Sequence, residues 1–532
     1  MPAAGRIEIR KLMKRYWMIL LCALALGLGA CTKPDNTSNT GDTEEPAPTP
    51  EPAVDTEQLN TYKYVNTFVR NQMNLYYLWN KEISKDLATW TDSEEPIAKV
   101  KEIRYHSGSG SNRKDIDKWS MVTDDYEDFY GSTNGNGETA GLDFVFYYYD
   151  ESHTSVCAVV RYVYKDSPAD KAGLKRGDVI VKVNGKTIPY SENNTSDYEK
   201  AYYTLVGSDK FTVGTLDERT LTLQPVEMYE DPVHLTKVFT AGSKKIGYLH
   251  YTSFTLDSCE DLVDVFREFK NQGVKELILD LRYNPGGFSK TEQVFASLLA
   301  PEAEVQKGSI LSTEVYNENL TQYFSERNID TKTYFETEYE FTSGSKTYQF
   351  SSAGANPGLD KIYVIITGSS ASASEALVCD LLPYMPLTLI GAQSRGKYTA
   401  GLVLSADDFY TDNADQLGKT FTQNGLKYAK NWGAYVMYAR FADKNGQTPC
   451  MPDGLTPDIE ATDDPLDGYP LGDPRETMLA VALEQCGYKT SAPAAVRRSD
   501  KRMQQLTPAG LETVSPERDG LMVVLPGQRN LR

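Results

Sequence analysis

The stretch Ile362–Cys379, IYVIITGSSASASEALVC, constrains this chain more than any other. Ile362 to Ile366 is an apolar, β-branched run that reads as a buried strand. Thr367-Gly368-Ser369 turns the chain, and a run of small residues enters a helix near Ala373. The turn and helix entry carry hydroxyls to a helix N-terminus, where unpaired N–H groups and the helix dipole favour a developing negative charge. Taken alone, Ser370, Ser372 and Ser374 serve equally well as N-caps and small packing residues.

The flanking segments repeat the strand–helix alternation. Lys244 to Phe254 reads as a strand, CEDLVDVFREFKNQGV as an amphipathic helix ending at Gly273, and KELILDLRYNPGG as a buried strand entering a Pro-Gly-Gly turn. A further helix, SKTEQVFASLLA, follows, and Leu387–Gly391 is another strand. This alternation argues for an α/β core over 231–487, closed by a helix within Pro474–Gly487. Two polar, aromatic segments, about 302–359 and 405–451, read as inserts.

Length and charge set the frame for the rest. A chain of 532 residues suggests about two to four domains. Its formal net charge of −19 disfavours non-specific nucleic-acid binding, because nothing offsets phosphate repulsion. Only 4 histidines are present, which disfavours histidine-cluster chemistry. His250 reads as a sheet residue, and His106, His153 and His234 as loop or element-end residues without partners. Residues 1–30 pair a basic segment with an apolar one and end in Leu28-Gly29-Ala30-Cys31, which resembles a bacterial lipobox. The expectation is a lipoprotein signal peptide with Cys31 lipidated. A Pro/Thr/Glu-rich tether (31–56) reads as disordered. The five later cysteines have no paired spacing and read as buried free thiols.

An aromatic stripe from Tyr64 to Trp79 predicts a long first helix in a helical N-terminal domain, 57–135. Ser107 to Asn112 and Tyr130 to Glu138 read as flexible, Gly-rich stretches. Residues 136–230 then show short strands, GLDFVFYYY and SVCAVVRYVY, followed by SPADKAGLKRGDVIVKVNGKTI. The SPA…AGL…GD…VNG string resembles the PDZ family, whose members bind a peptide by adding it as a strand. The matching peptide-binding loop is Gly141-Leu142-Asp143-Phe144. Asp143 stands where the family usually has glycine, and an acid beside a carboxylate is unfavourable.

Three segments could converge: LILDLRYNPGG with its Gly-Gly turn, TGSSASASEAL with its serines, and IGAQSRGKYTA with Lys397. A serine needs a base to take its proton, and a buried lysine can act because desolvation disfavours its charged form. Together these segments resemble the C-terminal-processing (tail-specific) peptidases, an S41-type Ser/Lys family with an embedded PDZ domain. In that family the nucleophile lies three residues before the glutamate of a SASE-like motif and the lysine about 25 residues later; here these are Ser372 and Lys397 (397 minus 372). The resemblance implies a ClpP/crotonase-like ββα spiral core and an oxyanion hole from the N–H groups of Gly287 and Ala373. It also implies supporting roles for Asp280 and Arg282, and a reaction without metal or cofactor. Many members carry a glutamine four residues after the lysine to orient it. Here that position is Gly401, with Thr399 and Glu375 as candidate substitutes.

The expected activity is a serine endopeptidase acting on unstructured or C-terminal regions of envelope proteins presented by the PDZ domain. The expected location is the bacterial cell envelope, lipid-anchored on a periplasmic or cell-surface face, with the outer membrane favoured. The alternatives are a catalytically weak peptide-binding scaffold, and a carbohydrate or small-ester hydrolase that lacks the paired carboxylates of a glycosidase. The tail, 488–532, carries basic clusters, and only Leu521–Leu525 reads as ordered; self-trimming is a possibility there.

Overall fold

A computed structural model describes residues 56–108, 112–489, 502–511 and 522–524. The expected signal peptide, Cys31 and the tether up to residue 55 lie outside the described residues. Among the described residues, no helix is long and apolar enough to cross a membrane.

Six strands build the central sheet, in the spatial order Val233–Ala241, Lys244–Tyr251, Glu276–Asp280, Lys361–Ile366, Leu387–Gly391 and Ile459–Glu460. The first pair is antiparallel and every later neighbour is parallel. Alternate side chains enter two different cores. Leu277, Leu279, Ile362, Val364 and Ile366 pack with helices Ser258–Asn271, Ser289–Leu299 and Ala373–Leu381. Ile278, Tyr363 and Ile365 pack with helix Thr477–Gln485 on the other face. Burial on both faces is why these strands are continuously apolar and not alternating.

A second sheet stands beside it, in the order Gly287–Phe288, Met522–Val524, Thr399–Ser405, Gly433–Asp443, Ile310–Tyr316 and Lys332–Tyr334. The segments expected as two inserts meet here: Ser312 to Tyr316 pairs antiparallel with Asp443 to Ala439. The first helix, Thr56–Tyr76, buries Tyr64, Phe68 and Met73 in a core shared with Phe409, Tyr410 and Tyr435. Its aromatic stripe is packing.

The PDZ segment forms its own sheet, in the order Thr220–Leu223, Phe211–Thr215, Val179–Val183, Ser155–Val163 and Leu142–Tyr148, with helix Ser196–Val206 over its core. Ser167 caps the short helix Pro168–Lys171 through the Asp170 N–H at 3.1 Å. Asn184 and Gly185 take φ of 49° and 75°, the left-handed pair a two-residue hairpin requires.

Several expectations need correction. Tyr130 to Glu138 is not a flexible stretch: helix Tyr126–Thr133 is capped by Asp125, and strand Asn136–Thr139 pairs with Val226–Tyr229. His234 is not partnerless, because it lies in a strand with its Nδ1 3.0 Å from His250 Nδ1 and its Nε2 3.2 Å from the Val163 carbonyl. Among its described residues the tail contributes the strand Thr507–Pro508 as well as Met522–Val524. Cys157, Cys259, Cys379, Cys450 and Cys486 are buried free thiols, as expected.

Candidate active site

The strand Lys361–Ile366 delivers the chain into a sharp turn, and Ser372 sits at the entry of helix Ala373–Leu381 with φ 60° and ψ −111°. A non-glycine residue there costs on the order of 1–3 kcal/mol, so the surroundings must hold it. They do so through hydroxyls. Ser370 Oγ donates to the Leu281 carbonyl at 2.7 Å, and Ser374 Oγ donates to the Asn284 carbonyl at 3.0 Å. The Ala371 N–H reaches the same Asn284 carbonyl at 3.1 Å, and Thr367 Oγ1 donates to the Arg282 carbonyl. The serine turn is thereby fastened to the Leu281–Asn284 segment that leads into the Gly286-Gly287 turn.

Lys397 arrives from the next loop. Its Nζ is 3.3 Å from Ser372 Oγ, and both residues are fully buried. Nζ also lies over two aromatic rings, 5.5 Å from the centroid of Trp119 and 5.3 Å from that of Tyr435. The carboxylate of Glu375 clasps the two segments together. It accepts from the backbone N–H of Ser372 (2.9 Å), Gly396 (2.7 Å) and Lys397 (2.9 Å), and from the Ser394 hydroxyl. Burial raises the Glu375 carboxyl, and these four donors pull against that rise.

The residue that stands beside Lys397 is Tyr435, whose hydroxyl lies 3.0 Å from Nζ. It comes from strand Gly433–Asp443, which pairs Tyr435 opposite Val403 and Met437 opposite Gly401. A Cβ at Gly401 would lie 2.3 Å from the Tyr435 ring. Glycine at 401 therefore makes room for the tyrosine. Sequence reasoning proposed Thr399 and Glu375 for this role; Thr399 Oγ1 instead meets Met437 Sδ, and Glu375 holds the lysine's backbone, not its amine. Tyr435 lay inside a segment read as an insert, with no spacing signal to mark it.

Gly287 has φ 143°, and an added Cβ would lie 2.4 Å from the Phe254 carbonyl oxygen, so only glycine fits. Ala373 is the first helical residue after Ser372. Asp280 and Arg282 lie beneath the loop in a buried ion network. Arg282 donates to Asp280 (2.8 Å), to both oxygens of Glu476 (2.6 and 2.9 Å) and to Asp463 (3.0 Å). Arg176 of the PDZ segment joins it, reaching Asp463 at 2.9 Å and the Tyr283 hydroxyl at 2.8 Å. Burial pushes the Asp463 carboxyl up, but Arg176 and Arg282 more than offset this and hold it well below the usual range. Arg176, Asp463 and Glu476 are far apart in sequence, and nothing local marks them as partners.

Leu142, Asp143 and Phe144 lie in the PDZ strand Leu142–Tyr148, and Gly141 immediately precedes it. Gly141 takes φ 70°, where a Cβ would strike Ser167 Cβ at 2.3 Å. Leu142 begins the outer strand and Phe144 is buried in the PDZ core. The carboxylate of Asp143 is bound by Arg161, with Nη2 to Oδ2 at 2.9 Å, which compensates the acid at this position. Arg161 in turn lies over the Tyr283 ring, 4.5 Å from its centroid.

Residues 245–461 match the profile of Peptidase family S41, and residues 159–200 match that of a PDZ domain. The chain is 27% identical over 242 residues to the carboxy-terminal processing protease CtpB of Bacillus subtilis, covering 44% of this chain and 43% of that protein. It is 25% identical over 245 residues to a CtpA-like serine protease of Staphylococcus aureus, covering 46% and 42%. The match thus spans less than half the length of these curated relatives. Among solved structures, an S41 protease from Bacteroides fragilis NCTC 9343 shares the fold with a TM-score of 0.57 at 20% identity, over 84% of this chain and 100% of that one. Profiles and relatives point the same way: residues 245–461 are similar to peptidase family S41, and residues 159–200, ahead of them, are similar to a PDZ domain.

Proposed function

We propose that the chain is a serine endopeptidase that cleaves extended, unstructured or C-terminal regions of envelope proteins. The observation that carries this reading is the 3.3 Å approach of Lys397 Nζ to Ser372 Oγ in a fully buried setting. A neutral amine has N–H groups and one lone pair. One N–H goes to Tyr435, and the lone pair takes the Ser372 proton as Oγ attacks the peptide carbonyl. The N–H groups of Gly287 and Ala373 are the donors proposed for the tetrahedral oxyanion. Lys397 then returns the proton to the leaving amine, and water attacks the acyl-enzyme with Lys397 again as base. No metal or cofactor enters these steps.

The outer PDZ strand Leu142–Tyr148 supports a presenting role, since a peptide can extend the sheet there. The Leu28-Gly29-Ala30-Cys31 sequence supports lipid anchoring in the cell envelope, and Cys31→Ser should move the protein out of the membrane fraction.

The activity is tested by incubating the parent, Ser372→Ala and Lys397→Ala proteins with an unstructured protein and following fragments by mass spectrometry. Cleavage by the parent and by neither variant is expected. Equal cleavage by all three would sink the reading, and absence of cleavage with tight peptide binding would make the chain a scaffold.

A further inference from the structure

The tail of the chain is seated in two places at once, both of them edges that accept an extended peptide. Thr507 and Pro508 pair antiparallel with Tyr148 and Tyr147 of the outer PDZ strand, and the Ala509 N–H donates to the Phe146 carbonyl at 3.0 Å. The segment runs along this strand toward Gly141. Its side chains alternate as a strand's must. Leu506 is buried with Tyr147, Cys157 and Val179 on one face of the sheet, while Ala509 and Leu511 pack on the other, against the core beneath helix Ser196–Val206.

Farther along, Met522–Val524 lies between two strands of the peptidase region and pairs parallel with both. Gly287 is opposite Met522 and Phe288 opposite Val523 on one side; Gly401 is opposite Val523 and Leu402 opposite Val524 on the other. Ser289 Oγ donates to the Val523 carbonyl at 3.3 Å. Val523 and Val524 are each 1% exposed. Val523 belongs to the apolar cluster that holds Phe288, Val403 and Tyr435, and Val524 to the one that holds Ala400 and Leu402. Two of the four residues opposite this strand are Gly287, proposed as oxyanion donor, and Gly401, which admits Tyr435 to Lys397. A strand hydrogen-bonded on both sides, with its side chains buried, is how a sheet receives an added peptide.

We propose that two segments of the tail, 502–511 and 522–524, are a resident peptide ligand of this protein, the first reading the PDZ edge with 506–511 and the second the groove between Gly287–Phe288 and Gly401–Leu402. The ligand class is an extended chain with an uncharged aliphatic pair for the groove, preceded by an apolar segment for the PDZ edge. Other peptides of this pattern compete with the tail for the same two edges. The occupancy stands on the strand pairing alone; its effect on turnover rests on the peptidase reading.

The test uses the full chain carrying Ser372→Ala, so that cleavage cannot intervene, and a fluorescent peptide with the sequence of residues 502–525. The self-occupied chain should bind this peptide weakly. Adding Val523→Asp, which puts a charge where an apolar side chain is buried, should expel the tail and tighten peptide binding by about tenfold or more. A peptide carrying the same valine-to-aspartate change should not bind. Equal binding by both chains, or by neither, overturns the proposal. Where Val523→Asp fails to fold, Leu506→Asp releases the PDZ arm and should shift binding in the same direction. In chains with Ser372 intact, Val523→Asp should also speed labelling by a serine-directed fluorophosphonate. If neither chain labels, the nucleophile assignment fails while the binding result still decides the occupancy.

Discussion

Tyr435 lies across Gly401 with its hydroxyl 3.0 Å from Lys397 Nζ, so one residue's missing side chain is the space for the other's. Tyr435→Phe should lower kcat about tenfold with KM little changed, the loss of one hydrogen bond of about 1.4 kcal/mol at the base. Steady-state kinetics would check this, and an unchanged kcat would remove Tyr435 from the site. Gly401→Gln should be worse than Tyr435→Phe, because its Cβ meets the ring. The pair Gly401→Gln with Tyr435→Ala should recover part of that loss, since the obstruction is gone.

Glu375 holds four donors with one carboxylate. Glu375→Ala should cost about 3 kcal/mol of stability, because buried N–H groups of Ser372, Gly396 and Lys397 lose their acceptor. Activity should fall more than folding does, since the variant frees the two segments that carry nucleophile and base. Urea unfolding and turnover measured on the same preparation separate the two effects.

Arg176→Ala should be destabilising, by about 2–3 kcal/mol, because it strips one of two arginine partners from partly buried Asp463. Arg176→Met should cost no less, the charge and not the volume being what is lost. Thermal unfolding of both variants decides; near-parental melting of either would show the network to be solvated.

Glu292 and Asp380 are buried carboxyls on two neighbouring helices. Burial pushes Glu292 up to about 8, and burial followed by the charge of Glu292 pushes Asp380 up as well. Cys379, Asp443 and Glu314 add smaller contributions in the same direction at Asp380. A carboxyl whose pKa is higher folded than unfolded gives stability present in full below the unfolded value of about 4.3 and lost as pH rises through the folded one. Melting temperature should therefore fall between about pH 5 and about pH 8.5. Glu292→Gln should flatten that slope; an identical slope in parent and variant would disprove the assignment.

The central sheet was legible because its pattern is local, and the Ser372–Lys397 pairing through the family resemblance, whose spacing singles the two residues out. Continuous apolar runs such as Ile362 to Ile366 announce two covered faces, and Ser372, Glu375 and Lys397 fall on one short strand–helix–strand passage. What escaped was decided by partners far along the chain. Ile310–Tyr316 and Gly433–Asp443 look like separate inserts until they pair with each other. Tyr435 acquires a role only through the glycine opposite its neighbour. Thr507–Pro508 is too short to show periodicity, and its strand character comes from the edge it joins, whereas Met522–Val524 falls within the stretch Leu521–Leu525 that read as ordered. Tyr130 to Glu138 failed differently: its glycines signalled looseness, while Asp125 and the partner strand Val226–Tyr229 supplied order.

The turn at Ser372 is fastened to the Leu281–Asn284 segment, which leads into the Gly286-Gly287 turn, by Thr367, Ser370 and Ser374, all through neutral hydroxyls meeting backbone carbonyls. Such contacts neither ionise in the working range nor weaken under Debye screening. Nucleophile and electrophile-binding loop are therefore held in mutual alignment by groups indifferent to salt and acidity. Ionic strength can alter how a substrate arrives, and protonation can switch the base, while the alignment on which attack depends stays constant.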